Sequence, residues 1–450
     1  MNWRPVKPRK FPKERARPTE HAPSGLTYGV NDLPPWPRNI LYGLQWLIVF
    51  LPTLVILAAI SSEHLGLHGG EKVLFSQRIL AMTGAVVVIQ TLIGHRYPLL
   101  DGPASALLLS FLILAPRGLP TVQGGMMVGG LVLVLLSMCG LLRYLEALFT
   151  DNVVGVILIL IAITIMPYVV PMVIGKSPSH PYGDPVVFAI AVTVILTIAL
   201  FNYWLQGFPR TISLFLAVLL GTLLAGSLGR IDFPDVRDAQ WLSLPQRLFP
   251  GLPTFSISAT LTFLIAYLAV ITNAVGSIYS TGEVVGKADV AGRLNRGIGV
   301  TGFGGLIAGI LGVFGTVSYA SSPGVVLITR VGSRFAVTVC GVLLFFLVFF
   351  QKALAILASI PASVVGAAMI TVLAAQVGAG ISVLARSGRL SERDYLVIGI
   401  PVLMGGAVSI FPQSFFETWP YTIHALLKNG LVVGIILVLV LEHLLLPRKR

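Results

Sequence analysis

The sequence predicts an all-α polytopic membrane protein of about fourteen transmembrane segments. These are arranged as two inverted seven-span repeats, with short strands in the broken third and tenth segments. Three observations carry this prediction. The 450-residue chain is 55% hydrophobic and 11% charged, with a mean hydropathy of +0.89. A soluble domain carries about twice that charge fraction. Apolar runs close to the ~20 residues that cross a bilayer recur along the chain. Two of these runs are interrupted at corresponding places by Gly, Pro and Ser.

The chain opens on a Pro-rich basic tail, residues 1–38, with Arg4, Lys7, Arg9, Lys10, Lys13, Arg15 and Arg17. It has no apolar signal-peptide core and is expected to be disordered and cytoplasmic. Apolar segments follow at 39–60, 73–93, 98–115, 124–142, 152–172, 185–205 and 211–228. A second seven follows at 255–281, 297–314, 318–331, 335–357, 361–384, 395–411 and 426–446. An even count puts both termini on one side. With the termini cytoplasmic, about 22 of the 31 Lys and Arg fall inside. The net charge of +13 therefore reads as membrane orientation, and no nucleic-acid partner is expected. The loop 229–254 sets Asp232, Asp235 and Asp238 beside Arg230, Arg237 and Arg247, as a mixed-charge solvated connection does. Cys139 and Cys340 lie in apolar runs without a disulfide or metal pattern, so no metal or cofactor is expected. No HExxH, phosphate-cradling loop or catalytic triad appears, and an enzyme is not expected.

The tenth segment cannot be one uninterrupted helix. Thr316 to Tyr319 read as extended, Ser321, Ser322, Pro323 and Gly324 as a break, and Val325 to Ile328 as a short helix. The third segment matches it, with a break at Gly102 and Pro103 followed by small residues opening a helix. Exposed backbone costs several kcal/mol per group in lipid, so the two strands are predicted to meet near mid-membrane and satisfy each other. The short helices then aim their N-termini at a shared cavity, an arrangement that suits hydrogen-bond acceptors.

Around that cavity, Asn273 and Ser277 stand four apart on one helix face, offering donors and acceptors to a heterocycle edge or to a neighbouring helix. Ser321 and Ser322 offer hydroxyls, and Gly324 and Val325 offer backbone N–H groups. Trp46 suits stacking on a planar ring or packing. Asp101, directly before the break, is the cation-coupling candidate, and its alternative role is to cap the short helix that follows. His95 and Arg96 are expected at the membrane interface, and Glu283 and Asp289 in a solvated loop.

Four stretches resemble the nucleobase–ascorbate transporter family, the uracil/xanthine permeases: GLQWLIVF at 43–50, LIGHRYPLLDGPASALL at 92–108, the signature running to TRVGSR at 296–334, and IPASVVGAAMI at 360–370. The resemblance covers essentially the whole chain after the tail. It implies a core domain of 39–142 and 255–357 moving as an elevator against a gate domain of 152–228 and 361–446. It also implies a homodimer formed through the gate and coupling to H+ or Na+. The expected location is the bilayer of a bacterial inner (plasma) membrane, with both termini cytoplasmic. The chain departs from the family pattern at the site. Asn273 and Ser277 replace an acid and a polar residue of some relatives, Ser321 replaces Glu or Gln, and Ser322 replaces Asn. Trp46 replaces a His, and Ser105 an aromatic often beside the substrate. The expected function is secondary-active transport of a nucleobase (uracil- or xanthine-like) or similar small planar solute. The alternatives are an anion or other solute transporter or facilitator of the same fold without proton coupling, and a non-transporting membrane scaffold or receptor.

Overall fold

Pro37 lies in the first turn of helix α1 (Trp36–His64), where its missing N–H has no intrahelical partner. The computed structural model describes residues 25–142, 148–177, 179–230, 236, 239–245, 247–286, 289–386, 388, 390–417 and 419–447. The basic tail as far as residue 24, Arg143, Arg237, Lys287, Arg389 and the terminal Arg448, Lys449 and Arg450 lie outside the described residues, as do Asp232, Asp235 and Asp238.

Helix α2 (Gly70–Leu92) returns from α1 and leads into strand β1 (Asp101–Pro103) and the short helix α3 (Ser105–Leu114). Then come α4 (Leu119–Met138), α5 (Asp151–Val173), α6 (Pro185–Trp204) and α7 (Ser213–Ser227). The second half holds α8 (Ile257–Val285), α9 (Val290–Leu311), strand β2 (Thr316–Ser318) and α10 (Ser322–Thr329). It closes with α11 (Arg334–Leu347), α12 (Gln351–Ala358), α13 (Ala362–Ala385), α14 (Glu392–Ile410), α15 (Tyr421–Lys428) and α16 (Gly430–Val440). Among the described residues nine helices are long and apolar enough to cross a membrane, or ten if the bent pair α11–α12 is one span.

The structure departs from the expected elements at three places. The segment 335–357 is not straight: α11 and α12 meet at 92° across a short break. The segment 426–446 is divided at Asn429, which ends α15 and caps α16 by accepting from Val432 N–H at 3.3 Å. The last part of the supposed disordered tail is built in. Thr27 N–H donates to Arg330 O at 2.8 Å, Gly332 N–H to Tyr28 O at 2.9 Å, and Arg334 N–H to Val30 O at 3.1 Å. The signature's extended turn at Arg330–Arg334 leaves strand-like backbone groups unpaired, and residues 27–30 satisfy them.

Packing falls into recurrent pairs. Helix α4 lies on α9, and α2 on α11; α5 lies on α13, α6 on α7, and α14 on α16. The α4–α9 seam is made by small residues, since in lipid helices associate by close packing rather than by hydrophobic exclusion. A Cβ on Gly130 would fall 2.6 Å from the Gly302 carbonyl oxygen, and one on Gly302 would fall 2.6 Å from that of Gly130.

On the connection before α6, Asp184 caps the helix by accepting from Val186 N–H at 2.9 Å and pairs with Arg230 at 3.0 Å. Burial pushes its carboxyl up, but the N–H groups of Val186 and Val187, with Arg230 and His180, outweigh this and hold it below the ordinary 3.8. A carboxyl lowered in the folded state adds stability above its unfolded value and loses it as pH falls through the folded one. The thermal midpoint of the parent is therefore expected to exceed that of Asp184→Asn above about pH 5, with the gap closing below about pH 4. A pH-independent gap would discard the charge argument.

Candidate functional site

Strands β1 and β2 pair antiparallel, with Asp101 opposite Ser318, Gly102 opposite Val317 and Pro103 opposite Thr316. Flanking backbone bonds lengthen the pair: Tyr319 N–H donates to Leu100 O and Ala104 N–H to Gly315 O, both at 2.9 Å. A two-stranded ribbon still leaves edges unpaired, and side chains cover them. Ser277 donates to Ser318 O at 2.9 Å, and Leu100 N–H donates to the Ser322 hydroxyl at 3.2 Å. Gly102 is required here, because a Cβ at that position would meet the Tyr319 ring at 2.5 Å. That ring lies over the strand with its hydroxyl donating to Pro103 O at 3.2 Å.

In front of the ribbon is a cavity of about 1000 Å³. Ser105 and Ala106 of α3, Asn273 of α8, and Ser321 and Gly324 of α10 line it on the ribbon side. Its aromatic wall is Phe50 and Tyr319, stacked with centroids 5.6 Å apart at 24°. Across from them lie Ile161, Ile198, Thr371 and Gln376, and the cavity extends to the α6–α7 turn, where Asn202 and Arg210 are exposed. No carboxylate lines it among the described residues, and Arg210 is the one charged side chain on its wall.

Four of the expected site residues, Asn273, Ser321, Gly324 and Ser105, are therefore brought together around one space. Others are not. Trp46 is 1% exposed and sits behind Phe50, which it stacks on one helical turn away at 5.6 Å and 8°. Ser277 and Ser322 are fully buried and tie the ribbon edges rather than facing the cavity. The N–H groups of Gly324 and Val325 turn back onto Ser321 O at 3.1 and 3.4 Å, so the α10 end does not offer them. At α3 the first intrahelical bond runs from Leu108 N–H to Ala104 O, and no side chain caps the helix. Its first-turn N–H groups, at Ser105 and Ala106, are donors without an intrahelical partner.

Asp101 is not the cap of α3. It is fully buried behind β1, accepting from Ser318 Oγ at 2.7 Å and from Gln90 Nε2 at 3.4 Å. Its other oxygen is 2.9 Å from His95 Nε2. His95, expected at the interface, is also fully buried. Tyr97 N–H donates to His95 Nδ1 at 3.0 Å, which assigns the ring proton to Nε2 and makes that nitrogen the donor to Asp101. Gln90 carries the network on to Gly297 O and Thr301 Oγ1, at 3.0 and 3.1 Å. Arg96, instead of reaching Asp101, bonds Leu92 O at 3.0 Å.

Sequence reasoning missed Phe50, Tyr319 and the His95–Asp101 contact. Phe50 is four residues after Trp46, the spacing that shares a helix face. Tyr319 follows β2 directly. The His95 contact had no local signal, since the loop at 94–100 folds back to make it.

The family model Xan_ur_permease, described as a permease family, matches residues 37–414. A nucleobase transporter of Paenibacillus larvae is 29% identical over 327 residues, covering 73% of this chain and 75% of the relative. A uric acid transporter of Escherichia coli is 25% identical over 434 residues (95% and 88%), and the xanthine permease of Bacillus subtilis 24% over 402 (88% and 92%). Among solved structures, the transmembrane domain of the cyanobacterial bicarbonate transporter BicA superposes with a TM-score of 0.62 at 16% identity, covering 83% of this chain and 96% of that one. That likeness is of fold alone. A match across 37–414, carried on helices able to cross a membrane, places this chain in the xanthine/uracil permease family, whose members are integral membrane transporters and not enzymes.

Proposed function

We propose that the protein is a secondary-active transporter of a nucleobase, of uracil, xanthine or uric acid type, or of a similar small planar solute. One observation carries the reading: a 1000 Å³ cavity whose wall combines the Phe50–Tyr319 stack with the neutral polar groups of Asn273, Ser321 and the α3 N-terminus. The aromatic wall suits a planar ring, and the amide and N–H groups suit its alternating edge. The names of the relatives support the same solute class.

In this reading spans one to four and eight to eleven form the core, and the remaining spans form the gate, which also joins two copies. The packing supports an inverted repeat. Exchanging each span for its counterpart seven away turns the α4–α9 contact into the α11–α2 contact, and the α6–α7 contact into that of α14 with α16. With both termini cytoplasmic, the α6–α7 turn is at the cytoplasmic end, so the cavity opens inward and the core moves outward as an elevator. The buried His95–Asp101 pair, one strand behind the cavity, is the candidate for H+ or Na+ coupling.

Counterflow in proteoliposomes with radiolabelled uric acid, xanthine, uracil and bicarbonate tests the reading. Saturable exchange of at least one heterocycle is expected; exchange of bicarbonate alone, or of nothing, overturns it. Asn273→Leu removes a partner from the bound solute, worth about 1–3 kcal/mol, so affinity is expected to fall roughly five- to 150-fold. A folded variant with unchanged affinity would take Asn273 out of the site.

A further inference from the structure

Ser110 and Asn429 are both fully buried, and Asn429 Nδ2 donates to Ser110 Oγ at 3.0 Å. Ser110 lies on α3, the helix whose first residues line the cavity; Asn429 lies at the break between α15 and α16. The contact therefore joins the third span to the last, 319 residues apart in sequence. The amide is held from its other end, because its Oδ1 accepts from Val432 N–H at 3.3 Å. This oriented bond joins two elements that a displacement of core against gate must separate. On the topology proposed above α3 runs outward from the ribbon, so Ser110, beyond the cavity-lining Ser105 and Ala106, lies toward the outer side.

We infer that the Ser110–Asn429 hydrogen bond is the outer latch of the transport cycle. It stabilises the conformation whose cavity opens toward the α6–α7 turn, and it breaks when the outer side opens. The inference rests on the elevator reading proposed above. It makes both residues positioning residues, acting on the equilibrium between conformations and not on the bound solute. Interhelical hydrogen bonds in membrane proteins shift such equilibria by about three-fold on average and at most about 18-fold.

A cysteine reporter measures this without a solute. Ser62 is 3% exposed and lines a cavity of about 110 Å³ between α1, α2 and the α12–α13 region. In Ser62→Cys, a membrane-impermeant methanethiosulfonate added on the side of the α1–α2 loop reports outer opening. Ser110→Ala is expected to label about three- to 18-fold faster than the parent. Asn429→Ser keeps an N-cap oxygen but is too short to reach Ser110, and it should match. The double variant should be no faster than either single one, because both remove the same bond. A second reporter, Gln376→Cys, on the cavity wall and probed from the other side, should label no faster in these variants. Faster labelling at both reporters means general loosening and overturns the latch, as do equal Ser62→Cys rates in parent and variants. Counterflow of radiolabelled uric acid, xanthine and uracil in the same membranes separates the two failures. Unchanged labelling in a chain that exchanges a solute overturns the latch alone, whereas no exchange overturns the transport reading with it.

Discussion

Replacing Asp101 with leucine is expected to lower stability by several kcal/mol, because each buried donor that loses its acceptor costs about 1–3 kcal/mol. The carboxylate is fully buried and accepts from His95 Nε2, Ser318 Oγ and Gln90 Nε2. Leucine leaves those donors facing hydrocarbon, with no water to replace the acceptor. A fall in the detergent-solubilised thermal midpoint, together with loss of transport, is the expected result; a midpoint within a degree of the parent would show that the network carries no weight. Asp101→Asn separates structure from coupling. The amide oxygen still accepts from Ser318, but the NH2 takes the place of the oxygen facing His95 Nε2, so that contact is lost and the side chain carries no charge. If Asp101 couples protons, this variant keeps counterflow exchange and loses accumulation driven by a pH gradient. Accumulation at the parent's level would dismiss Asp101 as the coupling group and leave it a structural acceptor.

Gly302→Leu is expected to be the most damaging substitution outside the site. Its Cβ would lie 2.6 Å from Gly130 O and 2.7 Å from Leu133 Cβ, atoms that cannot withdraw without parting α4 from α9. Overpacking typically costs about 1–3 kcal/mol, and a backbone contact puts this case at the upper end or beyond. Low yield of folded protein in membranes and early thermal unfolding are expected. Gly276→Leu is the control, because a Cβ there meets nothing within 4 Å. Equal behaviour of the two variants would refute the seam.

Most of the fold was legible because lipid leaves the backbone few choices. Apolar length located the long helices, and the Gly–Pro and Ser–Pro–Gly punctuation marked both interrupted segments, although Gly102 and Pro103, read as a break, lie in β1, and Ser322, Pro323 and Gly324, read as a break, open α10. What stayed hidden was nonlocal. The bend between α11 and α12 has no proline to announce it, and the break at Asn429 is marked only by one Asn–Gly pair inside an apolar run. At the site, residue type named hydrogen-bonding groups but not their partners. Ser277 and Ser322 carry the chemistry of a ligand contact, yet the edges of a three-residue ribbon claim them first. Trp46 was the right face of α1 and the wrong turn, and Phe50 one turn on supplies the wall.

The pairing of β1 with β2 has a consequence for biosynthesis. Ser318 and Asp101 are 217 residues apart in sequence, so their contact closes a long loop. When the first half has been inserted, Asp101–Pro103 is a strand with an open edge, and Asp101 has yet to meet the Ser318 hydroxyl. Helices α1 and α2 can be in place by then; the ribbon cannot. The cavity is thus assembled after the scaffold around it, and a nascent chain stopped before residue 316 has membrane spans but no central ribbon.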